Sequence, residues 1–187
     1  VYLSDPIARA DSNLALQFDG NNDFVRLAET ELILGGGWKT TKTVELWVRP
    51  HGAGPTCAIP DPAWCDAVFS DRPRWWGISR GVISGQDRLW IWNTSPTGFE
   101  IIPVIYTPDV WTHIALVHSG GVMSVYQDGN LVGSRASGAT QQPSTGALPV
   151  LQLGGVMINE TRNWTFQGEM DEVSLWNVAR TAEEIVT

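Results

Sequence analysis

Met123-Ser-Val-Tyr-Gln-Asp-Gly-Asn-Leu-Val132 decides the fold class. Two short runs of apolar and β-branched residues flank Asp128-Gly129, a dipeptide that supplies the positive φ values a tight hairpin turn demands, so the stretch reads as two antiparallel strands. The pattern repeats on either side. Segments 15–18, 44–48, 67–69, 88–92, 101–106, 113–118, 122–126 and 150–153 are β-branched or aromatic and short enough to be strands. Between them stand turn formers, among them Gly20-Asn21-Asn22, Gly35-Gly36-Gly37, Ser84-Gly85, Gly120-Gly121 and Gly154-Gly155. Only Thr181-Ala-Glu-Glu-Ile185 carries a helix signal, with Thr181 as N-cap and Glu184 three positions on. Beyond it, at most one short loop turn is expected to be helical. Many short strands without an internal repeat or linker describe an all-β chain, a two-sheet antiparallel β-sandwich spanning residues 1–187 as one domain.

The 187 residues are 43% hydrophobic, which suffices for one sizeable core, and carry a formal net charge of -8. That charge argues against a phosphate backbone or an anionic membrane surface as partner, so nucleic acid is excluded. No apolar run reaches the roughly 20 residues of a membrane span, and the start shows no signal-peptide pattern. A soluble chain, either mature or excised from a larger one, is expected. Cys57 and Cys65 bracket a Pro-containing loop, and a disulfide fits them best. A zinc site with His51 or Asp66 lacks the second close pair of ligands that a tetrahedral site needs. The bridge implies an oxidising compartment. Sequons at Asn93, Asn159 and Asn163 suit export but recur by chance.

The last strand breaks the alternation of faces. In Phe166-Gln-Gly-Glu-Met-Asp-Glu-Val-Ser-Leu-Trp176, Phe166 and Met170 share one parity and Val173 and Leu175 the other. A bulge near Asp171-Glu172 reconciles them and would re-aim a carboxylate.

Three stretches, Ala15-Leu-Gln-Phe-Asp-Gly-Asn-Asn-Asp-Phe-Val-Arg-Leu27, Trp111-Thr-His-Ile-Ala-Leu-Val117 with Val125-Tyr-Gln-Asp-Gly129, and Phe166 through Asn177, together resemble the LamG-like jelly-roll domains of the concanavalin A-like lectin/glucanase superfamily. The Arg180-Thr-Ala-Glu-Glu-Ile185 tail resembles that family too. The resemblance implies a jelly roll of two curved sheets with first and last strands adjacent, secreted or on the cell surface, often part of a larger enzyme or adhesin. It also implies a structural calcium ion, with Asp171 as the best ligand and Asp19 and Asn22 from the oxygen-rich turn as further ligands. Asx-turn hydrogen bonds would explain the same turn without a metal.

Glycoside hydrolases of this superfamily carry a Glu, an Asp two residues on and a second Glu beyond it on one strand face. Glu169-Met-Asp171 begins this way, but the next same-face positions are Val173 and Leu175. No serine sits in a nucleophile elbow, and His113 and His118 flank an apolar run in the manner of structural histidines. Catalysis is not expected. For binding, Trp47, Trp90, Trp111 and Trp176 read as core residues. Trp75 and Trp76 stand among two arginines and a proline, and adjacent residues of an extended segment point to opposite sides, so one of the pair should be available. Trp92 and Trp64 complete a candidate stacking platform for a glycan. The alternative is an adhesion or scaffold module that recognises protein, and the polar stretch 136–149 is a loop free to contact a partner or nothing.

Overall fold

A computed structural model describes residues 14–57, 65–72, 75–96, 98–141, 149–159 and 162–185. Its strands are β1 (Leu16–Asp19), β2 (Val25–Glu29), β3 (Lys42–Pro50), β4 (Asp66–Arg72), β5 (Trp76–Ile83), β6 (Gln86–Ser95), β7 (Gly98–Val104), β8 (Thr112–Ser119), β9 (Val122–Gln127), β10 (Asn130–Ala136), β11 (Val150–Leu153), β12 (Gly155–Asn159), β13 (Arg162–Thr165) and β14 (Gln167–Trp176). Two short helices, α1 (Thr30–Leu34) and α2 (Ala182–Ile185), interrupt them. One sheet runs β1-β14-β3-β8-β9-β10. The other runs β12-β13-β4-β5-β6-β7, with β11 beside β4 and β2 beside β11. The two sheets form the sandwich of a jelly roll. First and last strands are neighbours, with Leu16 opposite Met170 and Phe18 opposite Gly168.

The hairpin at Asp128-Gly129 is β9 and β10, with Asp128 at φ 50° and Gly129 at φ 76° in the turn between them. At α2 the Thr181 N–H donates to Glu184 Oε2 at 2.8 Å and the Glu184 N–H to Thr181 Oγ1 at 3.4 Å, the reciprocal cap its spacing predicts. The parity break in β14 is a bulge. Asp171 faces Trp47 and Ser174 faces Glu45, so Glu172 and Val173 together oppose Leu46. Met170 therefore packs in the core before the bulge, and Val173 and Leu175 pack against that core after it.

Between the sheets lie Val44, Leu46, Val48, Ile114, Leu116, Met123, Val125 and Met170 from one side and Val68, Phe69, Trp76, Ile78, Leu89, Ile91, Ile102 and Val104 from the other. Each end of this core is closed by a buried cation. At one end the Arg80 guanidinium donates to Tyr106 Oη at 2.8 Å, to the Gln167 carbonyl at 3.2 Å, and to the His51 and Gly52 carbonyls. At the other, the Lys42 ammonium donates to the Trp38 carbonyl at 3.0 Å and Thr140 Oγ1 at 2.7 Å, and lies 4.7 Å from the Trp76 ring centre. Buried backbone and hydroxyl acceptors replace the water that each cation loses.

The Lys42 end also fixes a segment expected to be free. Thr140 donates to Asn93 Oδ1 at 2.5 Å, Asn93 Nδ2 donates to Ser137 Oγ at 3.0 Å and Glu100 Oε2 at 3.2 Å, and Ser137 and Thr140 are buried. The stretch after β10 is thus docked through residue 141, and 142–148 lie outside the described residues. The same network buries Asn93 to 2% exposure, which denies that sequon to a glycan in the folded state.

Cys57 and Cys65 are bonded, closing a loop of sequence separation 8. A loop that short removes about 2.5 kcal/mol of unfolded-chain entropy. The bridge itself lies against the eight-stranded sheet at Gly81, where a Cβ would come within 2.6 Å of Cys57 Sγ, so glycine leaves the space the bridge fills.

Candidate functional site

In β3, Val44, Leu46 and Val48 turn inward with no exposed surface, so Glu45, Trp47 and Arg49 must face outward. Neighbouring strands extend these positions into rows across the sheet. Asp171, Trp47 and His113 form one row, and Ser174, Glu45 and Ala115 the next. The C-terminal segment then lies back over the end of this face. Thr43 Oγ1 donates to the Val178 carbonyl at 2.8 Å and accepts from the Arg180 N–H at 3.0 Å, while Ile185 packs on Ala115 and Val117. A cleft of about 380 Å³ results, lined by Glu45, Trp47, His113, Glu172, Ser174 and Arg180, with Asp128, Gly129 and Ile185 completing it.

Trp47 is 37% exposed and leans on the His113 ring, with centroids 5.3 Å apart. Arg180 is fully engaged: Nη1 lies 2.7 Å from Glu45 Oε1, the guanidinium sits 4.6 Å from the Trp176 ring centre, and Nη2 donates to the Glu184 carbonyl. Glu45 is therefore a neutralised, buried carboxylate. His113 Nε2 is 3.7 Å from Glu45 Oε2. Burial lowers the His113 pKa below the usual imidazole value, against the opposing pull of Glu45, Asp128 and Glu172, so the ring is neutral at pH 7. Asp128 Oδ1 accepts the His113 backbone N–H at 2.9 Å, tying the β9–β10 turn to β8. Glu172 occupies the bulge at φ 49°, its N–H donating to Asp171 Oδ1 at 2.8 Å. Its own carboxylate forms no hydrogen bond or ion pair among the described residues.

The tryptophans do not all take their expected places, though Trp76 is the buried member of the Trp75–Trp76 pair. Trp76 belongs to the core, without exposed surface, between Phe69 at 5.2 Å and Trp38 at 6.5 Å. Trp92 is on the opposite face of the same sheet, equally covered, with Nε1 donating to Ser79 Oγ at 3.1 Å and its ring stacked 5.8 Å from Phe99. Two fully buried rings on opposite faces cannot form a platform. Trp75 is half-buried against the core, and Trp64 lies outside the described residues. Conversely, Trp47, Trp90, Trp111 and Trp176 are not part of the main core. Trp90 Nε1 donates to the Gly81 carbonyl at 2.8 Å on the outer face of the eight-stranded sheet, and Trp111 carries the Arg49 guanidinium at 5.4 Å. Alternation in Val44-Glu-Leu-Trp-Val48 already contained the signal for Trp47, since three aliphatic residues there claim the inner face.

Asp19 and Asp171, two of the residues expected to hold calcium, lie apart along the sheet. Asp19 faces Gln167, so Asp171 lies four residues further along β14, roughly 13 Å away at the rise of a strand. One ion with ligands at about 2.5 Å cannot span that gap. Asp19 is instead the head of an Asx turn, accepting the Asn21 N–H at 2.7 Å, which holds its carboxyl below the usual value. Among the described residues no three His, Cys, Asp or Glu side chains gather as a metal site. Nor does the hydrolase-like strand offer a free acid pair: Glu169 shares a face with Asp171 but is ion-paired to Arg49. The Ser174 hydroxyl donates to the Glu172 carbonyl at 3.4 Å rather than to His113.

A family model described as the concanavalin A-like lectin/glucanases superfamily matches residues 19–186. Mouse (Mus musculus) pappalysin-1 is 29% identical over 92% of this chain, which spans only 11% of that protein's length. Domain 4 of an extracellular arabinanase from Geobacillus stearothermophilus, in complex with arabinotriose, superposes with a TM-score of 0.57 at 22% identity, covering 92% of this chain and 74% of that one. A heptameric pentraxin from Limulus polyphemus gives a TM-score of 0.62 at 18% identity, covering 91% and 79%. No helix among the described residues is long and apolar enough to cross a membrane. With nearly the whole chain inside the family match and both sheets in place, this protein belongs to the concanavalin A-like lectin/glucanases superfamily.

Proposed function

We propose that the chain is a non-catalytic, extracellular carbohydrate-binding module of a larger protein, and that its ligand enters the cleft beside Trp47. The observation that carries this reading is a partly exposed indole face set in a concave site with carboxylate, hydroxyl and imidazole groups around it. Sugar rings present apolar C–H faces to such an indole and hydroxyls to its polar surroundings. The arabinotriose complex of the related arabinanase domain supports the ligand class, and the disulfide supports an oxidising, extracellular setting. Catalysis is disfavoured because Glu45 and Glu169 are each ion-paired to an arginine and so do not offer a free pair of carboxylates.

A glycan array followed by titration of Trp fluorescence tests the reading. Specific binding should be lost on Trp47→Ala, with the melting temperature little changed because that side chain lies outside the core. Silence across the array, or binding that survives Trp47→Ala, refutes it. One observation favours protein recognition instead: β10 is an edge strand with Leu131 and Val132 exposed, a surface open to strand addition.

A further inference from the structure

Resting on the carbohydrate reading, we infer that the cleft prefers a glycan bearing a protonated amine, an amino-sugar, over the same glycan N-acetylated, and turns away sulfated, sialylated or uronic forms. The cleft holds polar groups that the fold leaves unused. Its cationic and backbone donors are committed. Arg180 serves Glu45, the Glu184 carbonyl and the Trp176 face, and the His113 backbone N–H serves Asp128. The acceptors are not. The Glu172 carboxylate has no hydrogen bond or ion pair among the described residues, and Asp128 is engaged through one oxygen only.

The aromatic wall points the same way, independently of the carboxylates. The partly exposed face of Trp47 carries the negative end of the ring quadrupole, which attracts a cation placed over it. An ammonium between that face and Glu172 would satisfy both with one group. A sulfate or carboxylate would meet Glu172 and Asp128 with no cation left to receive it, on a chain whose net charge is -8. N-acetylation removes the charge and keeps a single donor, so the acetylated form ranks between. The bulge makes this arrangement possible. It places a non-glycine residue in the left-handed region at Glu172 φ 49°, beside the row that holds Trp47, in a cleft with room for a sugar ring.

The test uses glycan sets that share one backbone and differ only in carrying a free amine, an N-acetyl or a sulfate, titrated at a pH where the amine is protonated. Trp fluorescence reports binding. The aminated form should bind tightest, the acetylated form at least about threefold weaker, and the sulfated form not measurably. Glu172→Gln should weaken the aminated form roughly two- to fivefold, the range of an exposed ion pair, and leave the acetylated form unchanged. Trp47→Ala should weaken every form about tenfold or more. Acetylated or sulfated forms binding as tightly as the aminated one through Trp47 overturn the preference and leave the carbohydrate reading standing. An equal effect of Glu172→Gln on both forms does the same. Absence of binding by every form in every set overturns both.

Discussion

Replacing Lys42 by Met should change how the stability of this protein depends on pH. The ammonium is buried beside Trp76 and Trp38, and burial lowers its pKa from 10.5 to about 7, with the Asp71 carboxylate opposing the shift. Between those values the unfolded chain holds a proton that the folded chain has released, so stability rises with pH across this window. It is greatest above the unfolded value and is lost as pH falls through the folded one. Each pH unit at a full one-proton difference is worth about 1.4 kcal/mol, so the gain across the window is on the order of a few kcal/mol.

Asp71 works in the opposite sense. Burial raises its carboxyl from 3.8 to about 7, so its contribution is present at low pH and is lost as pH rises toward 7. Urea unfolding of the parent and of Lys42→Met, each at a series of pH values with the disulfide intact, compares the chain with and without this ammonium and its pull on Asp71 and His118. The parent should gain stability on the alkaline side and the variant should not. Parallel profiles above pH 7 would show that the ammonium is not desolvated in the folded state, and the account of this end of the core would fall.

Other outcomes follow from the same geometry. Any rise in melting temperature produced by calcium should survive Asp171→Asn, because Asp171 is too far from Asp19 to share its ion; loss of the rise in that variant would restore the three-residue site. Glu172→Gly should stabilise the protein by up to about 1 kcal/mol by relieving the left-handed backbone at the bulge, read from urea midpoints, and a destabilised variant would contradict this. Peptide mapping after expression in a glycosylating host should find Asn93 unmodified, since its amide is buried between Glu100 and Ser137; a glycan there would contradict the packing.

The sequence by itself determined everything governed by local geometry and strict alternation. Asp128-Gly129 specified a hairpin because few other dipeptides tolerate its backbone angles. Cys57 and Cys65 specified a bridge through their separation, and the parity conflict between Met170 and Val173 specified a bulge because a strand cannot otherwise turn both inward. The same alternation in 44–48 places Trp47 outside, even though an apolar ring within an apolar strand reads as core.

Only the tertiary structure decided which strands lie side by side and in what register. One register separates Asp19 from Asp171, and another sets Trp47 between Asp171 and His113. It also decided which of Trp75, Trp76 and Trp92 loses its exposed face, because burial depends on which neighbour covers a side chain and not on the residues next to it in sequence. The cleft is of that kind. Its walls come from β3, β8, β14, the β9–β10 turn and the returning C-terminal segment, and no local rule connects residues so far apart along the chain, since what joins them is the burial of the apolar faces on the other side of the sheet.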